Sequence, residues 1–208
     1  MTIIVHHLEN SRSQRVLWML EELALPYKVK RYERNKATML APPELREVHP
    51  LGKSPVIEDD GVVVAETGAI VEYLVDKADG RLGPPARRED VLRYRFFLHY
   101  AEGSVMPPLL VKLVVTRIPL LGGRVAKRIQ PMIDVHLDYV EAELAKRPWF
   151  AGDQFSAADV MMSFPLEAAR ARAGLETTRP ATIAWLDKIH ARPAYARALE
   201  RGGPYAYA

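Results

Sequence analysis

His49-Pro50-Leu51-Gly52-Lys53-Ser54-Pro55-Val56-Ile57 is the stretch on which the reading of this 208-residue chain turns. Two prolines bracket a Gly-Lys-Ser turn, and a β-branched pair follows. Pro55 stands where a strand begins, yet a proline has no amide N–H to give to a ladder. X-Pro is also the peptide bond in which the cis form is accessible. A cis Ser54-Pro55 bond turns the Ser54 N–H and C=O outward, where an extended, peptide-like ligand can pair with them as an added strand. Taken alone, the stretch reads more simply as a surface loop with two prolines; its neighbours in the chain change that balance.

Thr2 to Val5 is a short β-branched run and reads as a buried strand. Val16, Met19, Leu20 and Leu23 recur at helical spacing, so Arg12 to Leu23 reads as a helix that Pro26 ends. Tyr27 to Tyr32 alternates as a second strand, which makes a right-handed βαβ unit with parallel strands. Asn35 to Val48 carries one short helix. Val56-Ile57-Glu58 and Val62-Val63-Val64 flank Asp-Gly as a hairpin, and Thr67 to Ala78 is a helix with Ile70, Tyr73 and Leu74 on one face. The order βαβ-α-ββα is that of an α/β domain, expected over residues 1–79. Gly80 to Pro85 holds two glycines and two prolines, and a linker is expected over residues 80–86. From 87 to 208 the pattern is helical throughout, with Pro107-Pro108 set to kink or break one long helix. Ser156-Ala157-Ala158-Asp159 has the form of a capping box, with Phe155 as its staple residue.

Composition narrows the function classes. A net charge of +3 from 29 basic and 26 acidic residues is too mild to argue for nucleic acid. The absence of cysteine excludes disulfides, thiolate metal sites and a protein thiol nucleophile. His6 and His7 are adjacent, so in a strand they point to opposite faces, and no metal site is expected. Val105 to Leu121 is the most apolar window, but Lys112, Arg117 and three prolines interrupt it. It reads as a buried helix rather than a membrane span. No basic and apolar leader opens the chain, and a cytoplasmic protein is expected.

Three pieces of the first 80 residues converge if the sheet forms as read: Ser11-Arg12-Ser13, Lys53-Ser54-Pro55 and Glu66-Thr67. Two of them open helices, where free N–H groups and the positive dipole end favour anions. Each has a plain alternative, since Ser and Thr before a helix are most often caps. Together with the odd proline they resemble the glutathione transferase family over nearly the whole chain. Asn10 to Trp18 is similar to the first turn and helix of bacterial and fungal members that use a Ser. The opening stretch is similar to the family's Asn-Pro-x-Gly-Lys-Val-Pro-Val-Leu turn, with His49 for Asn and Ser54 for Val. Glu66-Thr67 falls at its Glu/Gln-Ser/Thr pair, and His99 to Gly103 resembles a subgroup near a yeast membrane-associated transferase.

The resemblance implies a thioredoxin-like N-terminal domain with a cis-proline, an all-helical C-terminal domain and a homodimer. It implies a glutathione transferase that conjugates the thiolate of glutathione to small electrophiles, with peroxidase side activity, and that needs no further cofactor. Ser11 with Arg12, or Ser13 as second choice, would serve the sulfur. Lys53, Ser54, Pro55, Glu66 and Thr67 would hold glutathione, and His7, Leu8, Tyr100 and Met106 are candidate walls for the second substrate. Arg88, Arg93 and Arg95 are candidate partners for Glu72 and Asp76 of a second copy. Arg12 takes the place of the cysteine of the Cys-dependent bacterial class, so a mixed disulfide on the protein is excluded. A non-catalytic glutathione- or ligand-binding protein and a glutathione-dependent dehalogenase or isomerase stay open as alternatives.

Overall fold

Four strands make the sheet of the first unit: β1 (Ile3–Leu8), β2 (Tyr27–Tyr32), β3 (Val56–Asp59) and β4 (Val62–Ala65), in the order β2-β1-β3-β4. β1 and β2 run parallel, as the βαβ reading requires, and β3 and β4 are antiparallel to their neighbours. Asp60 and Gly61 connect β3 to β4 with φ of 54° and 80°, the left-handed pair that a two-residue hairpin needs. α1 (Ser13–Glu22) and α3 (Thr67–Lys77) lie against the sheet and bury Val16, Leu17, Met19, Leu20, Ile70, Val71 and Leu74. Such apolar stripes at helical spacing supply most of the helices' stability. α2 (Leu45–Val48) is a single turn, and the fully buried Leu45 packs with Leu8 and Tyr32.

The computed structural model describes residues 2–175 and 178–207, which fall into two units. The first takes the residues up to 83 and also 190–206, so it includes the last helix, which sequence order groups with residues 87–208. That helix, named α9 below, spans Pro193–Gly202 and packs on α1. Tyr195 meets Trp18 edge-on at 5.3 Å, and the Arg192 guanidinium grips the Glu22 carboxylate at 2.5 and 2.7 Å. A two-pronged, part-buried pair of this kind fixes orientation as well as distance.

The second unit is all helix: α4 (Arg88–Tyr100), α5 (Met106–Val115), α6 (Gly122–Leu144), α7 (Ala157–Arg172) and α8 (Pro180–His190). The expected break at Pro107-Pro108 falls earlier. A π-helical turn over Ala101–Val105 precedes the prolines, which sit in the first turn of α5, where a missing N–H costs least. α7 is the core element and is buried at every position from Ala157 to Ala169. It begins with the capping box read from sequence: the Ser156 and Phe150 N–H groups each donate to the Asp159 carboxylate at 3.0 Å. Burial pushes the Asp159 carboxyl up to about 6 against these bonds.

Two expectations are corrected. Val105 to Leu121 is buried only in part: Val105, Met106 and Leu109 are buried, but Leu110, Val111, Val114, Ile118, Leu120 and Leu121 are exposed. The apolar face of this segment exceeds what α6 and α7 cover. Arg93 is not available to a second copy, because it binds Glu143 at 2.6 Å and donates to the Phe150 carbonyl within its own unit.

Asp159→Ala orphans two buried N–H groups at once. It should lower the unfolding free energy by about 3 kcal/mol in urea titrations, against about 1 kcal/mol for Ser156→Ala, which loses only the cap.

Candidate functional site

The sheet register gathers three chain segments at one edge. β1 ends there, β3 starts there and β4 ends there, with His6 opposite Val56 and Val56 opposite Ala65. The next residues outward are therefore Pro55 on one strand and Glu66 on the other. The Ser54-Pro55 bond is cis. The Ser54 hydroxyl donates to the His6 carbonyl at 2.8 Å and accepts the Leu8 N–H at 3.2 Å. This side chain extends the β1–β3 ladder past the point where Pro55 stops it. The Ser54 main-chain N–H and C=O make no hydrogen bond with another described residue. They form a short open strand edge that can accept a peptide-like partner.

Ser11 and Ser13 lie at the start of α1, buried, with their hydroxyl oxygens 2.7 Å apart. Ser11, one residue before the Arg12 N-cap, accepts the Ser13 N–H on its Oγ at 3.2 Å. Ser13 Oγ sits 2.8 Å from His7 Nδ1. His7 is 1% exposed, and its other nitrogen bonds the Gly202 carbonyl of α9. A carbonyl only accepts, so Nε2 carries the proton and a neutral ring leaves Nδ1 as acceptor. Burial and the facing Arg31 push His7 down to about 4, so the ring is neutral at pH 7. With Nδ1 as acceptor the Ser13 hydroxyl proton goes to His7, and Ser13 Oγ, which also lies 3.3 Å from the Leu8 carbonyl, then accepts from the Ser11 hydroxyl at 2.7 Å.

Glu66 precedes α3 with φ 71° and ψ 125°, a backbone region that L residues rarely adopt. It is exposed, and its carboxylate has no partner among the described residues. Thr67 is buried in the first turn of α3. Lys53 is exposed and unpaired among the described residues, beside a cavity of about 520 Å³ that Arg34, Arg46, Leu51 and Gly52 also line. Arg12 is half-buried at the N-cap of α1. Two helix N-termini, a lysine and an unpaired carboxylate thus share the edge that carries the open Ser54 backbone. The arrangement suits a zwitterionic peptide with carboxylates and an ammonium.

The candidate pocket residues have other surroundings. His7 and Leu8 are buried in the first unit, and Met106 is buried in the second. Tyr100, half-buried, bonds His136 Nδ1 through its hydroxyl at 2.7 Å, and burial pushes it up to about 12. The part played by His7 and Gly202 in setting the serine protons lies beyond sequence reading. The two residues are brought together by the packing of α9 on α1, and no local pattern announces it.

Two outcomes follow from this geometry. Glu66→Gly relieves a positive φ, so it should leave thermal stability unchanged or raise it by up to about 1 kcal/mol while removing a carboxylate that has no partner among the described residues. Calorimetry beside ligand titration separates the two effects. His7 has a folded-state value of about 4 against 6.5 for the ordinary side chain. The unfolded chain therefore binds the extra proton, and stability present above pH 6.5 is lost as pH falls toward 4, by about 3 kcal/mol from this group. His7→Gln should flatten that part of the stability-versus-pH curve relative to the parent, measured by urea titration at each pH.

Comparison with known proteins agrees with this architecture. Residues 11–77 match the model of the glutathione S-transferase N-terminal domain, and residues 125–201 match that of the C-terminal domain. Glutathione S-transferase 3 of Schizosaccharomyces pombe is 36% identical, over 96% of this chain and 87% of its own. Glutathione S-transferase 1 of Saccharomyces cerevisiae is 33% identical, over 96% of this chain and 94% of its own. A crystal structure of a glutathione S-transferase from Actinobacillus pleuropneumoniae superposes with a TM-score of 0.87 at 32% identity, covering 99% of this chain and 95% of that one. With both of its halves matched and relatives aligned over nearly its full length, the chain belongs to the glutathione S-transferase family.

Proposed function

We propose that the protein conjugates glutathione to small electrophiles and that residues 1–79 form its glutathione-binding domain. The observation that carries this reading is the open Ser54 backbone edge, flanked on one side by the unpaired Glu66 carboxylate and on the other by the Ser11 hydroxyl. Ser54 N–H and C=O pair with the cysteinyl unit as an added strand. Glu66 takes the γ-glutamyl ammonium as a charge-assisted pair, and the first turn of α3 at Thr67 takes the neighbouring carboxylate. Lys53 meets the glycyl end beside its cavity.

Ser11 donates to the sulfur and favours thiolate over thiol, with Arg12 and the α1 dipole adding positive charge. A free thiol titrates near ~8.5, so lowering it by about two units makes thiolate dominant at neutral pH. Ser13 is also held by His7 and the Leu8 carbonyl, whereas the Ser11 hydroxyl has to give up only its bond to Ser13 to reach the sulfur, which supports Ser11 over Ser13 as the donor. The thiolate then attacks an electrophilic carbon and expels a leaving group such as halide with its bonding pair; in a side activity it attacks the oxygen of a hydroperoxide, breaking the O–O bond to give an alcohol and glutathione sulfenic acid, which a second glutathione converts to the disulfide and water. A cytoplasmic, homodimeric enzyme of the Ser-dependent type fits this reading.

Ser11→Ala should lower kcat with an activated chloronitroaromatic by about a hundredfold while glutathione affinity by calorimetry stays within about threefold. Ser13→Ala should cost far less. Failure of the parent to bind glutathione would overturn the proposal, and binding without turnover of any electrophile or hydroperoxide would turn it into a ligand-binding protein on the same fold.

A further inference from the structure

The cavity beside Lys53 is larger and more cationic than a glycyl terminus requires. Its volume is about 520 Å³, and its lining carries Arg34, Arg46 and Lys53 against one carboxylate, Glu33. Ligand pockets commonly begin near ~300 Å³, so there is room for a side chain as well as a terminus. Every lining residue belongs to the first unit. Local bonds order one wall: Asn35 Oδ1 accepts the Ala37 and Thr38 N–H groups at 3.0 Å, and the Met39 N–H donates to the Asn35 carbonyl at 2.7 Å. Arg34 is held by two carbonyls, its Nε donating to that of Glu9 at 3.3 Å and an Nη to that of Met39 at 3.0 Å. These bonds fix the guanidinium in place without pairing its charge with a carboxylate. Gly52 sets the position of Arg46. Its φ is 57°, and a Cβ there would lie 2.7 Å from Arg46 Cγ. The glycine therefore lets the Arg46 stem lie across the turn that leads directly to Lys53. Neither the Arg46 nor the Lys53 side chain has a partner among the described residues.

Glutathione brings one carboxylate to this end. Lying along the Ser54 edge, its glycyl carboxylate meets Lys53 and leaves Arg46 without an anion. Glu33 offsets one of the three lining cations, and the two that remain match two carboxylates. We propose that this cavity selects the thiol co-substrate and takes peptide thiols whose C-terminal residue carries a second carboxylate, with Lys53 on one carboxylate and Arg46 on the other. A γ-glutamylcysteinyl peptide that ends in glutamate has this chemistry, and its side chain fills volume that glycine leaves unused. A neutral side chain of the same size fills the volume but leaves Arg46 unpaired. The inference rests on the reading that a glutathione-like peptide lies along the sheet edge. It leaves the γ-glutamyl and cysteinyl contacts and the step at sulfur as they are for glutathione.

The test is calorimetric titration of the full chain with glutathione, γ-Glu-Cys-Glu and γ-Glu-Cys-Gln. The last two have the same size and differ by one charge. The acidic peptide should bind about five- to tenfold more tightly than its glutamine counterpart at about 0.05 M salt, and the ratio should shrink toward about twofold at about 0.5 M. With an activated chloronitroaromatic the same ratio should appear in kcat/KM with kcat alike, because the added contact is made equally in the ground and transition states. Arg46→Gln should bring the ratio near one, and Arg46→Lys should restore part of it, with thermal unfolding run on each variant. The parent's ratio is read without either variant, so the comparison does not depend on their folding. Equal binding of the two peptides by a parent that binds glutathione overturns the inference and leaves the proposed function standing. A preference that Arg46→Gln leaves intact overturns the placement of the second carboxylate. Failure to bind any of the three thiols overturns the inference and the proposed function together.

Discussion

The hydroxyl of Ser54 holds the candidate site together. Proline ends the β3 ladder by lacking a donor, and a loop left at that point would be free to move away from β1. Ser54 replaces the missing main-chain bonds with one side-chain oxygen that both donates to His6 and accepts from Leu8. The main chain of Ser54 is thereby held in place yet left unpaired. A residue that used its backbone to hold the loop would have closed the edge it needed to present. A valine in the same place would have to rely on packing alone, so serine here is a different solution rather than a neutral replacement.

The second constraint is proton accounting in a buried row of polar groups. Gly202 accepts, so His7 Nε2 donates; Nδ1 then accepts, so Ser13 donates. The row gains its direction from a carbonyl at the far end of the chain, delivered by α9. α9 therefore contributes to the electrostatics of the first unit without reaching the open edge. Its own seat is secured by Trp18 against Tyr195 and by Glu22 against Arg192. Packing on one face of α1 thus determines hydroxyl orientation at its N-terminus.

Much of this was legible in residue order. The βαβ unit, the Asp-Gly hairpin and the capping box are local patterns whose physics acts within a few residues, and each forms as read. The odd proline and the two helix starts could be placed at one edge because sheet topology follows from element order. What sequence did not disclose depends on long-range partners. The Ser54 hydroxyl bonds residues more than forty positions away, and the His7–Gly202 contact spans almost the whole chain. The exposure of much of Val105 to Leu121 has a related reason. Apolar composition reports a tendency to leave water, but whether a neighbour is present to cover the segment is decided by the count and length of the other helices.

Glu66 and Leu120 share a physical condition that local stability does not explain. Each is a non-glycine residue with positive φ, at 71° and 64°, and each presents a side chain that nothing among the described residues engages. Glycine at either position would relieve the backbone. Asp60, by contrast, has φ 54° within a hairpin turn that requires it, so its strain is offset by the ladder on both sides. The comparison separates strain that builds the fold from strain that the fold only tolerates. At Leu120 the tolerated strain holds an apolar side chain in the turn between α5 and α6, and at Glu66 it aims a carboxylate beside an open strand edge. At Glu66 the missing compensation is of the chemical kind that an external partner would supply, an ammonium.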